Sequence, residues 1–437
     1  VVGSDVSVNI RSIAVGGAGV GDVTEQHDGR SNLLGITAFV PFTNVGELVR
    51  ARVVQQKDRY LQTELVEVVK ESASRVAPQC RYFSSCGGCE LQQMSYEEQL
   101  DAKYDMIAGA MRAGRLPASD IAKLRQIYPS DEYAYRRKVT LHIDSQGKVG
   151  FYRSNSRSVV AIENCAIAVP AINKVLERIQ DFGREVQGRI TSVVLDADTA
   201  GVVAVLKSPY DIGSGEQLGI INVAKQYFDN CLLIVGEKDT GGFGRQIVEL
   251  PVAPGRELVL QIPAGNFAQG NQAVNLALVE QLVKFISVKS KSDHILDLYS
   301  GAGNFSLPLA KAGAVVTSVE IDKRLVALGR ENAKRYKLSE RVEFVEGDVE
   351  KFLGNRQRAA QKHSAIIADP PRSGLGPVVS ILPSAPRLVL VSCHLPSFVR
   401  DAKLLQERGW NIDQIIPFDM FAQTSHIEIA TLLTRNV

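Results

Sequence analysis

From residue 294 onward the chain repeats one pattern, an apolar run of strand length followed by a stretch of helical composition. The pattern predicts strand 295–299, helix 306–312, strand 314–320, helix 323–335, strands 342–346, 364–368 and 387–391, helix 397–408, and strands 411–417 and 427–433. Such alternation specifies a doubly wound α/β sheet, in which ligands collect beyond the carboxyl ends of the strands. Residues at those ends are therefore the first candidates for chemistry.

The first strand runs into Tyr299-Ser-Gly-Ala-Gly-Asn304, where Gly301 and Gly303 permit a sharp turn and close approach of a ligand to the backbone. Glu320 ends the next apolar run, where an acid can accept both hydroxyls of a ribose. The full Gly-x-Gly-x-x-Gly fingerprint is absent, and an ordinary strand–turn–helix reads equally well from the turn alone. Further strand ends carry Gly347-Asp348, Asp369-Pro-Pro-Arg372 and Ser392-Cys393, so several tips converge on one crevice.

At 437 residues the chain exceeds one ordinary core, and the fold class expected is multidomain α/β. Three domains are expected: a small β-barrel over 1–72, a central α/β domain over 73–262 with a helical stretch at 92–124, and the doubly wound domain over 263–437. Leu100, Tyr104 and Ala108 would form the packed face of that helix. No run of about eighteen apolar residues suggests a membrane span, and the first ten residues lack a signal-peptide pattern, so a cytoplasmic protein is expected. The net charge of +2 neither requires nor excludes a polyanionic partner.

Of six cysteines, three stand at Cys80, Cys86 and Cys89, with Cys165 as the nearest fourth. Four thiolates suit zinc or an iron–sulfur cluster, and the spacing does not separate these from buried thiols. Tyr135-Arg-Arg-Lys138 and Phe151-Tyr-Arg-Ser-Asn-Ser-Arg157 interleave aromatic and basic residues, compatible with single-stranded RNA or with a solvated strand edge.

Cys393 is presented after an apolar run, and Glu428 lies on the last strand as a partner acid or base. An ordinary thiol, with a pKa near 8.5, lacks about 2 kcal/mol of being mostly thiolate at neutral pH, which a helix N-terminus near Ser397 would partly offset. Asp369-Pro-Pro-Arg372 has no aromatic fourth residue to stack on a planar amine, which points to a ring carbon as acceptor. Carbon 5 of uracil is a poor nucleophile until a thiolate adds to carbon 6, so one cysteine and one carboxylate suffice.

Together with Asn266-Phe-Ala-Gln-Gly-Asn271 and Thr424-Ser-His-Ile-Glu428, these motifs resemble the RNA uracil-5 methyltransferases that use S-adenosylmethionine, over nearly the whole chain. The resemblance implies a TRAM-type, OB-like RNA-binding barrel at the N-terminus and a Rossmann-like class I methyltransferase domain at the C-terminus. It implies Cys393 as nucleophile and Glu428 as the residue assisting proton removal. It places Gln269, Tyr299, Asn304, Glu320, Asp348 and Asp369 around S-adenosylmethionine, and makes Cys80, Cys86, Cys89 and Cys165 ligands of a [4Fe–4S] cluster. The family usually writes Ser-Cys-Asn-Pro where this chain has Ser392-Cys393-His394-Leu395-Pro396, so the turn after the nucleophile differs.

The barrel and the cysteines are similar to the branch acting on 23S ribosomal RNA. The expected activity is therefore methylation of carbon 5 of a 23S rRNA uridine, with U1939 as first candidate. Alternatives are the same chemistry on tRNA or on another 23S rRNA uridine, cytosine-5 methylation, and a non-catalytic RNA-binding or ribosome-assembly protein. A monomer without an obligate protein partner is expected.

Overall fold

The computed structural model describes residues 2–27, 32–355 and 362–435. The chain forms two compact units, one of Val1–Gly109, Phe151–Val160 and Phe421–His426, the other of Ala110–Gly150, Ala161–Met420 and Ile427–Val437.

The first unit contains a closed barrel in the order Asp5–Ile13, Gly19–Gln26, Thr37–Val40, Tyr60–Lys70, Leu48–Gln56. Alternate residues point inward, and Val6, Val8, Ile10, Val49, Ala51, Val53 and Leu61 fill the interior. At Gly21 a Cβ would stand 2.0 Å from the Asn9 carbonyl oxygen, so the first two strands approach too closely for any side chain there. The buried carboxylate of Glu47 takes Arg75 Nε at 2.5 Å and Nη2 at 2.9 Å, pinning the segment that leaves the barrel.

The helix Tyr96–Ala113 replaces the longer helical stretch expected from sequence, and a shorter helix Ala118–Ile121 follows it. Its buried face in the first unit is Gln99, Ala102, Lys103, Met106, Ile107 and Ala108, whereas Leu100 and Tyr104 are only half-buried. Polar Gln99 and Lys103 are buried because they bind the segment Phe421–His426. Gln99 Nε2 donates to Gln423 Oε1 at 3.0 Å, Gln423 N donates to Gln99 Oε1 at 3.0 Å, and Lys103 Nζ donates to the Phe421 carbonyl at 3.2 Å.

The central seven-stranded sheet runs Lys238–Phe243, Cys231–Val235, Gly201–Ser208, Ser192–Asp198, Lys138–Ile143, Val149–Tyr152, Val159–Ala161. The C-terminal sheet, also of seven strands, runs Val342–Glu346, Val315–Glu320, His294–Leu298, Ala365–Ala368, Arg387–Ser392, Glu428–Thr434, Asn411–Phe418. Its first five strands are parallel, and Glu428–Thr434 is antiparallel to both neighbours. This is the doubly wound sheet expected from sequence, with the order reversing beside His294–Leu298, where such sheets open a crevice. Among the described residues, no helix is long and apolar enough to cross a membrane.

Candidate active site

The crevice is built on the turn after His294–Leu298. Tyr299, Gly301 and Gly303 all have positive φ, at 63°, 58° and 99°. A methyl group on Gly303 would lie 3.0 Å from Phe344 Cζ and 3.2 Å from Leu307 Cγ, so glycine is required there for space as well as conformation. Gly301 N donates to Glu320 Oε2 at 2.9 Å, and Asn304 exchanges amide hydrogen bonds with Asn275 at 3.0 and 3.1 Å. These bonds tie the turn to the next strand and to the helix Gln272–Ile286. Beneath it, the Ser306 hydroxyl bonds to both buried Asp297 and Ser318. Burial pushes Asp297 up to about 7.

A cleft opens above the turn, lined by Gln269, Tyr299, Asn304 and Asp369 together with Phe267 and Gln272. Four of the six residues expected around the methyl donor thus share one cleft wall. The other two sit beside it. Glu320 uses its carboxylate on the N–H groups of Gly301 and Asp322, and Asp348 caps the helix Val349–Leu353 through Lys351 N at 3.0 Å. The charge of Asp348 nonetheless acts on the Tyr299 hydroxyl, which burial and that carboxylate push up to about 12.

At Tyr135 and Arg137 the stretch Tyr135-Arg-Arg-Lys138 is neither open to RNA nor a solvated strand edge. Tyr135 and Arg137 are buried, and Arg137 forms an ion pair with Asp196. Arg137 N donates to the Gly270 carbonyl at 3.0 Å, Lys138 Nζ to the Asn266 carbonyl at 2.6 Å, and Gly265 N to Asp196 Oδ2 at 2.9 Å. Together the Arg137 backbone N–H, the Lys138 ammonium and the Asp196 carboxylate hold the loop that presents Gln269. Burial pulls Lys138 down to about 8. Arg153 and Arg157 remain exposed.

Strand register brings Cys393 and Glu428 together. Ser392 pairs with Ile429 across an antiparallel ladder, so Cys393 and Glu428 are the next residues facing each other. Ala368 pairs with Leu390 on the other side, which delivers Asp369 to the same end of the sheet. Glu428 is 2% exposed, and its Oε1 lacks a hydrogen-bond partner. Burial, then the charge of Asp369, raises its pKa well above the carboxylate range. Burial pushes Asp369 to about 7. The Cys393 thiol is pushed up to about 11 by burial, then by Glu428 and Asp369, with Arg372 opposing. The helix after the cysteine starts at Leu395, but the offset expected from its N-terminus does not outweigh these effects.

Sequence reading missed Asn275 and Ser306, whose roles depend on partners distant in the chain. Asn275 alone left a signal, lying one helical turn after the N-cap Asn271.

The family model of tRNA (Uracil-5-)-methyltransferase matches residues 226–436. The 23S rRNA (uracil(1939)-C(5))-methyltransferase RlmD of Marinomonas sp. is 30% identical over 425 residues, 95% of this chain and 94% of that protein. The chain belongs to the RNA uracil-C5 methyltransferase family. A second RlmD, from Vibrio parahaemolyticus, is 28% identical to this methyltransferase over 407 residues, 91% of each chain. The fold is that of Pyrococcus abyssi tRNA (uracil-54, C5)-methyltransferase, with a TM-score of 0.75 and 22% identity, covering 98% of this chain and 99% of that one.

The cysteines do not bear out a cluster site in this methyltransferase. Cys80, Cys86 and Cys89 belong to the first unit and Cys165 to the second. Among the described residues, no group of three or more His, Cys, Asp or Glu side chains is placed to hold a metal ion.

Proposed function

We propose that the protein transfers a methyl group from S-adenosylmethionine to carbon 5 of a uridine in 23S ribosomal RNA, the uridine numbered 1939 in the RlmD relatives being the first candidate. The observation that carries this reading is the strand register that faces Cys393 with Glu428 beside a cleft lined by Gln269, Tyr299, Asn304 and Asp369. When bound, S-adenosylmethionine supplies an electrophilic methyl carbon. The polarity of the cleft suits it, with amides, a hydroxyl and a carboxyl on the wall.

Cys393 loses its proton and its sulfur adds to carbon 6 of the uracil, moving charge onto carbon 5 and the carbonyl at carbon 4. Carbon 5 takes the methyl group as the donor's sulfur–methyl bond breaks, the bonding pair staying on that sulfur as a neutral thioether. The carbon-5 proton then passes to the Glu428 carboxylate, the sulfur–carbon bond breaks, the ring double bond returns and the thiolate leaves. Burial makes Glu428 a strong base once it is ionised. The closed barrel supports reading residues 1–72 as a TRAM-like RNA-binding domain, with 73–262 and 263–437 as central and methyltransferase domains.

Mass spectrometry of 23S and transfer RNA, after incubation with methyl-labelled donor, tests the reaction and the substrate together. Label as 5-methyluridine in 23S RNA is expected. Label only in tRNA would select the substrate named for the Pyrococcus abyssi protein and the family model. RNA carrying 5-fluorouridine should be trapped covalently on Cys393, and an adduct that survives Cys393→Ala would sink the mechanism. The cluster has no part in these steps, and iron and sulfide assay of protein purified without oxygen decides whether the four cysteines gather one.

A further inference from the structure

We propose that the C-terminal sheet carries a second ligand site, a phosphate-binding cleft at the amino ends of its strands, built by Lys289, His363 and Arg387. The inference does not depend on the reading of Cys393 as nucleophile.

The cleft opens where three strands begin. Asp293 and His294 lead into His294–Leu298, His363 and Ser364 into Ala365–Ala368, and Pro386 and Arg387 into Arg387–Ser392. Lys289, on the loop that follows the helix Gln272–Ile286, and Lys362 complete the wall. The three strands are parallel, so Asp369 and Cys393 stand at their opposite ends. Arg387 and Cys393 are separated by the length of one strand, about 20 Å, and a ligand here lies clear of the reacting atoms.

The charge of the wall is positive. Among its described residues Asp293 is the one carboxylate, set against Lys289, Lys362 and Arg387. Asp293 Oδ2 accepts Lys289 N at 2.6 Å and Ser290 N at 3.1 Å, and Oδ1 accepts the Ser364 hydroxyl at 3.4 Å. The carboxylate therefore shapes the loop between helix and strand, and does not form an ion pair with any of the three cations. Arg387 is half-buried and uses Nη1 on the Ile286 carbonyl at 2.7 Å. Among the described residues it has no carboxylate partner, so the rest of its fork of N–H donors is uncommitted.

His363 is a second and independent pointer. Its side chain lines the cleft, is 5% exposed, and leaves Nδ1 without a hydrogen-bond partner. The residue is otherwise fixed, with its backbone N–H on the Ser384 carbonyl at 3.2 Å and its ring against that of His294, centroids 4.8 Å apart. His294 is satisfied in turn, through Nε2 and Thr317 Oγ1 at 3.0 Å. A buried ring nitrogen without a partner is unfavourable, and a ligand that bonds it removes that penalty. Burial, then His294, pulls His363 down to about 4, so the ring is neutral and, protonated at Nδ1, donates to an anion.

Three cations disfavour a metal ion here. The donors come from three separate segments, at Lys289, at Lys362 and His363, and at Arg387, and so reach a ligand from different sides, which suits a tetrahedral oxyanion better than a planar carboxylate. Two sources supply that group, a backbone phosphate of RNA or a free phosphate.

The test is acetylation of Lys289 and Lys362 in the full chain without methyl donor, read by peptide mass spectrometry, with exposed Lys238 as internal reference. Inorganic phosphate at about twice its Kd should slow both lysines roughly threefold relative to chloride at equal ionic strength. Arg387→Gln should abolish this protection. Because Arg387 also caps a helix, Lys289→Gln read at Lys362 is the second variant, and should raise the phosphate needed roughly threefold, as expected for one partly screened charge. Protection by 23S RNA that Lys289→Gln weakens, in addition to protection by phosphate, assigns the RNA backbone as the source; protection by phosphate alone assigns a free phosphate. Acetylation unchanged by phosphate overturns the proposal, whether or not RNA covers the lysines. So does phosphate protection that persists unweakened in the folded variants. The readout involves no methyl transfer, so failure of the functional reading would appear separately, as RNA left unlabelled.

Discussion

Asp369 and Glu428 flank Cys393 from the strands on either side, and the charge of the first favours the protonated form of the second. On the proposed mechanism, a base so placed is needed only after the methyl group has moved. Glu428→Gln should therefore add to uracil and accept methyl but fail to release it, slowing turnover by about 10²- to 10⁴-fold. Denaturing gels should show methylated RNA bound to the protein. Slow turnover without accumulated adduct would place Glu428 earlier in the reaction.

The thiol itself starts far from ionised. With Cys393 raised to about 11 in the unliganded protein, its alkylation by iodoacetamide should climb with pH and show no plateau below pH 9. Rates measured at half-unit steps from pH 6 to 9 check this. A plateau near neutrality would mean the burial and carboxylate effects are offset by something beyond Arg372.

Asp297, beneath the cofactor turn, links stability to pH in a definite direction. Its folded pKa of about 7 exceeds the ordinary 3.8, so the folded chain holds this proton more tightly than the unfolded one. The contribution is full below pH 4 and is lost as pH rises to 7, a change on the order of 4 kcal/mol. The melting temperature of wild type minus that of Asp297→Asn should fall across that window and level off above it. A difference constant with pH would contradict the assignment.

Gly303→Ala combines a left-handed backbone with a methyl group 3.0 Å from Phe344. A destabilisation of about 1–3 kcal/mol is expected, with weaker binding of S-adenosylmethionine because the turn forms the cleft wall. Denaturant unfolding and calorimetric titration measure the two effects separately.

The C-terminal sheet was readable because its strands are short apolar runs whose period does not depend on partners. Predicted strand 342–346 and helix 323–335 coincide with Val342–Glu346 and Lys323–Arg335, and the remaining ends differ by only a residue or two. Cys393 and Glu428 were readable as candidates, but their facing positions follow from an antiparallel register that no local pattern encodes. Polar burial hid the rest. Gln99 and Lys103 look like a solvated helix face until their partners at Phe421 and Gln423 are known, and Arg137 looks like a nucleic-acid contact until Asp196 is. The reach of a long polar side chain is set by the tertiary fold, so residue type at one position does not reveal it.

The first unit draws on residues 421–426, more than three hundred positions beyond the helix that cradles them. During synthesis the N-terminal portion thus leaves the ribosome long before its last piece exists, and Gln99 and Lys103 must wait for the partners they have in the folded chain. Completion of that unit therefore waits for the synthesis of residues 421–426, and a chain stalled before residue 421 would remain vulnerable to proteolysis in that unit.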